Sequence, residues 1–169
     1  MYKRIIILTC LALFSLSCSS DDSDELVDEP SVVGVWKLTG YDVGFLVDIN
    51  DDNVKNSDII KEIGCDVNEE IVFKTDGTLA ANDTFHHVVN IYKSDLNGNY
   101  NIIIECVEGY TSFATPYIYE NNTVEFHDVV SVISNNQFDR VFENAIEIYN
   151  EDFTEIIEFR DLTLTYTRL

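Results

Sequence analysis

The sequence predicts an all-β domain, an antiparallel barrel or sandwich. From Ser31 onward apolar residues recur with period 2 rather than 3.6. Turn signals rich in Asn, Asp and Gly cut these runs at fairly regular spacing, as in small antiparallel architectures. The 169 residues are 46% hydrophobic and 12% aromatic, which is enough for one core and one domain.

In chain order, residues 1–17 read as a secretory signal. Lys3 and Arg4 give a positive start, and Ile5 to Phe14 form an apolar run too short to span a bilayer as a permanent helix. Ser15-Leu16-Ser17-Cys18 follows and resembles the lipobox of bacterial lipoproteins, in which the cysteine is lipidated and becomes the new N-terminus. Ser15 stands where that pattern usually has Leu; the alternative is an ordinary signal with Cys18 as a spare thiol. Residues 18–30 form a tether: Ser19 to Pro30 (SSDDSDELVDEP) carries six acidic residues and buries nothing. Cys18-Ser-Ser-Asp-Asp also resembles the acidic export signal that takes Bacteroidetes-type lipoproteins to the outer face of the outer membrane; the periplasmic face is the alternative. Membrane attachment is expected through covalent lipid, each buried methylene contributing about 0.8 kcal/mol.

Residues 31–169 supply the strands. Ile71 and Phe73 share a face in Asn68 to Lys74, as do Ile102, Ile104 and Cys106 in Tyr100 to Cys106. Val124 and Phe126 pair in Thr123 to His127, and Ile146 and Ile148 in Ala145 to Tyr149. Leu162, Leu164 and Tyr166 share a face in Leu162 to Arg168. The separators are Asp76-Gly77, Asn97-Gly98-Asn99, Glu120-Asn121-Asn122, Asn135-Asn136 and Asn150-Glu151-Asp152. Only Ser57 to Ile63 reads as helix, with Ser57 as N-cap and Asp58 in the first turn.

Ten Lys+Arg stand against 31 Asp+Glu, a formal charge of −21 that loss of Lys3 and Arg4 takes to −23. Such a chain lacks the cationic footprint that nucleic acid requires, and anionic lipid does not attract it. Cys10 leaves with the signal, so Cys65 and Cys106 remain. In an oxidising compartment they read as a disulfide; two buried thiols or half a metal site are the alternatives.

Gly34-Val35-Trp36-Lys37-Leu38 resembles the Gly-x-Trp opening strand of lipocalins. With Cys65, Ile71-Val72-Phe73-Lys74-Thr75-Asp76-Gly77-Thr78 and the closing Leu162-Thr163-Leu164-Thr165-Tyr166-Thr167-Arg168, the chain is similar to lipocalin-like lipoproteins of the Bacteroidetes type. The resemblance implies an antiparallel up-and-down β-barrel of about eight strands with one short helix after the first. It implies that Trp36 plugs one end with Arg168 lying across it. It also implies an interior able to hold a small hydrophobic ligand. The inward set would draw on Phe73, Ile102, Ile104, Tyr117, Tyr119, Phe126, Ile146 and Ile148, with Leu164 and Tyr166. The same side chains can equally fill a narrow barrel, leaving a surface interaction or structural lipoprotein with no small ligand.

One loop resembles the oxygen-rich loops that bind calcium. Asp48, Asn50 and Asp52 fall at positions one, three and five, the Val54 carbonyl at seven and Asn56 at nine. Position six is Asn53 rather than Gly and position twelve is Ile59, so Asp58 or Glu62 would have to supply the last carboxylate. The alternative is a polar loop whose Asp and Asn residues favour turns. No cofactor other than calcium is suggested. His86 and His87, on adjacent positions of an expected strand, should point to opposite faces, and no His-Glu-x-x-His, Gly-x-Ser-x-Gly, Walker or Rossmann pattern is present. The expectation is a protein that is not an enzyme.

Overall fold

The computed structural model describes residues 31–169. The expected signal of residues 1–17, the lipidated Cys18 and the tether of residues 18–30 lie outside the described residues. Among those described, the strands are β1 (Gly34–Val47), β2 (Asn56–Asp58), β3 (Glu70–Phe73), β4 (Thr78–Ala81), β5 (Val88–Lys93) and β6 (Tyr100–Glu105). They continue with β7 (Phe113–Pro116), β8 (Ile118–Glu120), β9 (Thr123–Phe126), β10 (Val129–Val132), β11 (Gln137–Asn150) and β12 (Ile156–Arg168). The fold is nearly all β, and its main sheet is strongly curled into a half-barrel.

The main sheet runs β6-β5-β11-β12-β1-β3-β4-β7, with β2 beside β1; β10-β9-β8 form a second sheet. This corrects the expectation of one purely antiparallel set of about eight strands. The main sheet is mixed, because β5 pairs parallel to the far half of β11 at Ile91 to Lys93. The chain leaves β4 on one side of the sheet and reaches the other side as the β5–β6 hairpin, which runs with β11 rather than against it.

The expected helix is also corrected. Ser57 and Asp58 are taken by β2, where Asp58 pairs with Asp42 of β1. That leaves only a 3-10 turn, Ile59–Lys61, capped by the Asp58 carboxylate accepting from the Ile60 amide at 3.3 Å. β11 and β12 start earlier than their sequence pattern indicates. In β11 the inward positions are Phe138 and Arg140, and a charged residue facing inward hides the period. In β12 the early pattern is inverted, with Ile157 and Phe159 exposed.

Three hairpins close on two residues with positive φ: Asn121-Asn122 (50°, 61°), His127-Asp128 (48°, 60°) and Asn135-Asn136 (51°, 61°). These are the mirror-image turns whose twist suits adjacent strands. Two are the Asn pairs read from the sequence; the third carries His127, which the sequence pattern placed in a strand. A bulge between Leu38 and Gly40 of β1 and another around Asn144 of β11 (φ 53°) bend the long strands into the curl.

Two apolar clusters lie along the concave side. One gathers Trp36, Leu38, Ile71, Phe73, Leu79, Val124, Phe126, Phe138 and Tyr166, with Leu164 packed against it. The other gathers Val43, Phe45, Val47, Ile59, Ile91, Ile146 and Ile148, with Leu162 packed against it. Leu162, Leu164 and Tyr166 share one face of β12, so the clusters are two floors of one concave interior, and Phe85 touches both.

Candidate functional site

The concave interior is occupied by side chains. Trp36 meets Phe73 edge-on at 6.4 Å and Phe138 at 5.0 Å; Phe73 meets Tyr117 at 4.9 Å and Phe126 at 5.8 Å. Phe138 stacks on Tyr166 at 5.1 Å. Offset and edge contacts of this kind add about 0.5–1.5 kcal/mol each beyond area burial.

The eight expected lining residues therefore divide. Phe73 and Phe126 are buried in the first cluster, with Tyr117 and Tyr119 packed on its flank. Ile146 and Ile148 are buried in the second, with Ile102 and Ile104 on its flank. They belong to two floors of the core. Tyr117 and Phe126 alone among them border an open cleft of about 410 Å³ beside the β9–β10 turn, together with Pro116 and Ile118.

Polar side chains enter the first floor as a chain. Glu69 is 5% exposed; its carboxylate accepts from the Tyr166 hydroxyl and, at 2.7 Å, from the Phe85 amide. Arg140, also 5% exposed, donates from Nη2 to the Phe126 carbonyl at 3.0 Å and lies 3.7 Å from the centre of the Phe126 ring. Burial lowers the Arg140 pKa, against the pull of Tyr166 and Glu69. Burial raises the Tyr166 pKa, and the Glu69 charge adds to it. Sequence reasoning missed Glu69 and Arg140. The one available signal was Arg140 at an inward parity position, two residues after Phe138.

At the end where the described chain begins, Arg168 reaches over Trp36, with Cζ 5.8 Å from the indole centroid. Its two terminal nitrogens donate to the carbonyls of Ser31 and Val33. The contact follows from register, since Trp36 pairs with Arg168 across β1 and β12.

The Asp48–Asp58 segment turns its oxygens onto its own backbone. Asp48 accepts from the amides of Asp52 and Asn53, both at 3.1 Å; Asn50 accepts from Asp52 at 3.0 Å; Asp52 accepts from Val54 at 2.7 Å. Asp51 and Asn53 adopt left-handed φ values of 59° and 69°. Asn56 donates to buried Glu62, which also accepts from the Ile49 amide. Asp58 faces elsewhere, accepting from the Tyr41 amide and pairing with Lys61. Among the described residues, no three His, Cys, Asp or Glu side chains are grouped to hold a metal.

Cys65 and Cys106 form a disulfide with a Cα–Cα distance of 5.4 Å. His87 bridges the residues that follow each cysteine. Its Nδ1 accepts from the Val107 amide at 3.1 Å, so the proton sits on Nε2, which donates to the Asp66 carbonyl at 3.0 Å. His86 and His87 precede β5 rather than lying within a strand, and their rings stand 5.7 Å apart. The expectation of opposite faces is thus corrected: both line one cleft of about 290 Å³.

No protein-family model, curated protein or solved structure matches the chain.

Proposed function

We propose that the chain is a lipid-anchored lipoprotein of the cell envelope, carried by Cys18 and facing the cell surface. Its lipocalin-like barrel has a filled interior and serves as an interaction module. The anchor is supported by Lys3 and Arg4, the apolar run Ile5 to Phe14, Cys18 at its end and the acidic residues that follow. The barrel reading is supported by strand succession. β12-β1-β3-β4-β7 are consecutive antiparallel neighbours. Only Tyr117 separates β7 from β8, and β8-β9-β10 continue antiparallel. β10 then turns into β11 through the Ser134–Gln137 bridge, and β11 pairs with β12. With β7 and β8 taken as one kinked strand, this succession supports an up-and-down circuit of eight strands into which the β5–β6 hairpin is inserted.

The single observation carrying the interaction reading is the aromatic packing of Trp36, Phe73, Phe126, Phe138 and Tyr166 where a ligand would lie. A second reading, a small hydrophobic ligand, is favoured by the apolar cleft at Tyr117 and Phe126. Native mass spectrometry of the full chain from an envelope-bearing host tests the two. A bare lipidated mass is expected; a further mass released on denaturation would overturn the filled-barrel reading. Palmitate labelling that persists in Cys18→Ser would overturn the anchor.

A further inference from the structure

We propose that the convex face formed by β5, β11 and β12 docks an arginine- or lysine-rich segment of another protein, with a slot beside Glu147 taking one cationic side chain. The inference rests on the interaction reading above and gives its partner a chemistry.

The face is built against the usual pattern. In β12, Ile157 and Phe159 are 46% and 51% exposed, while Glu158 takes the inward parity opposite buried Ile148. Phe159 stands opposite Glu147 in the ladder. Tyr149 of β11 and Tyr92 of β5 are in register, and the Phe153 ring serves both, at 5.9 Å and 5.2 Å. Together these apolar and aromatic groups make a continuous outward patch on a sheet whose core lies on the other side.

Phe153 is held where a bulky residue is strained, at φ 55°. The turn does not need it. Asn150 organises the turn with its side-chain oxygen, which accepts from the amides of Thr154 and Glu155 at 2.9 and 3.2 Å. Asn or Gly would fit position 153 without strain. The fold thus bears a cost to present an aromatic ring outward.

A slot opens beside this patch. β5 pairs with β11 only from Ile91 onward, and before that the strands part. The opening is a cleft of about 260 Å³ lined by Tyr41, Val89, Asn90, Ala145, Glu147 and Tyr149. Its lining is largely polar: the Glu147 carboxylate, which accepts from the Tyr149 hydroxyl at 2.6 Å, keeps lone pairs for a charged head, Val89 and Ala145 offer a short apolar edge to the stem, and the tyrosine rings suit a cation–π contact.

Charge selects the same partner. Exposed Glu147, Asp152 and Glu155 lie on or beside the patch, in a chain with 31 acidic and 10 basic residues. Long-range attraction would steer a basic segment here. The position is also accessible. The described chain begins at Ser31 beside Arg168, at one end of β12; the patch surrounds Ile156 at the other end, thirteen residues and about 40 Å along the strand. A chain anchored through Cys18 would present it away from the bilayer.

Anisotropy of a fluorescent ten-residue peptide alternating Arg and Ala, titrated with the full chain in detergent micelles, tests the proposal. Saturable binding that weakens with salt is expected. Phe153→Asn, which suits the turn, and Glu147→Gln should each weaken it about tenfold, whereas Glu125→Gln on the other sheet should leave it unchanged. Equal loss in all three variants would reduce the effect to bulk acidity and overturn the proposal. So would no peptide binding together with capture on an oligosaccharide array. Native mass spectra of the same samples separate the two readings: a retained small molecule sinks the filled barrel, while loss of variant specificity sinks only the docking site.

Discussion

Arg168 is fixed over Trp36 from two directions. Its guanidinium carbon lies 5.8 Å from the indole centroid, and its terminal nitrogens donate to Ser31 and Val33 at 2.8 and 2.7 Å. The indole nitrogen donates to the Val32 carbonyl at 2.8 Å, so the incoming chain is stitched to both side chains. Trp36 is fully buried, and Trp36→Ala should cost about 3–5 kcal/mol. The melting temperature should fall by roughly 10 °C or more. Arg168→Lys keeps the charge and loses the fork that reaches two carbonyls, so it should cost about 1 kcal/mol. Calorimetry reads both; an unchanged melt for Trp36→Ala would dismiss the end-closure role.

The Cys65–Cys106 disulfide closes a sequence separation of 41 residues and ties the end of β6, an edge strand, to the segment before β3. In the chain-entropy model such a link contributes about 4 kcal/mol. The double variant Cys65→Ala, Cys106→Ala should lower the denaturant midpoint accordingly. His87 spans the same two segments through Asp66 and Val107. Adding His87→Ala to the double variant should therefore speed amide exchange in β6 beyond either change alone. An acceleration equal to the product of the two separate effects would show that the two ties act independently; a larger one would show that each backs up the other.

The sequence read well wherever a strand buries one clean face. Ile71 with Phe73, Val124 with Phe126, and Ile146 with Ile148 all point inward as the alternation requires. Asn pairs and Asp-Gly marked the turns because their left-handed backbone has few other occupants. Reading failed where tertiary context overrides the local pattern. Arg140 faces the core on the strength of an aromatic face and a carbonyl, neither adjacent in sequence. Ile157 and Phe159 face solvent, and no local rule anticipates that. The parallel docking of β5 on β11 depends on which edge a hairpin reaches, which periodicity does not encode. The calcium-like spacing of Asp48, Asn50 and Asp52 was real, but the same side chains also make tight Asx turns, and spacing alone does not separate the two.

Tyr166 gives a pH signature. Burial, then the neighbouring Glu69 charge, hold its pKa above the ordinary value near 10. A group whose pKa is raised on folding contributes stability that is complete below its unfolded pKa. The contribution is lost as pH rises through the folded one. The Tyr166 contribution should thus be complete up to about pH 10 and decline above it. Burial raises Tyr41 in the same direction. In a spectrophotometric titration, some of the nine tyrosines should ionise only as the protein unfolds. Tyr166→Phe should reduce the alkaline decline while costing about 1–3 kcal/mol at neutral pH, because Glu69 then loses a buried donor. A full-amplitude phenolate titration without unfolding would contradict this.

The Asp48 loop makes the last prediction. Both Asp48 oxygens accept backbone amides, one from Asp52 and one from Asn53, and Asp58 is committed to the Tyr41 amide. A calcium ion needs six or more oxygens converging on one point. The amide bonds leave each Asp48 oxygen a lone pair, so the turns could persist; Asp58, however, would have to leave the Tyr41 amide and Lys61 to complete the set. The turns themselves order the loop, with the left-handed residues Asp51 and Asn53 held by those same bonds. Asp48→Ala should cost about 1 kcal/mol, as loss of a comparable cap does. Millimolar calcium should raise the melting temperature of the wild type and of Asp48→Ala by the same small amount. A rise confined to the wild type, with heat in a calorimetric titration, would restore the cation reading.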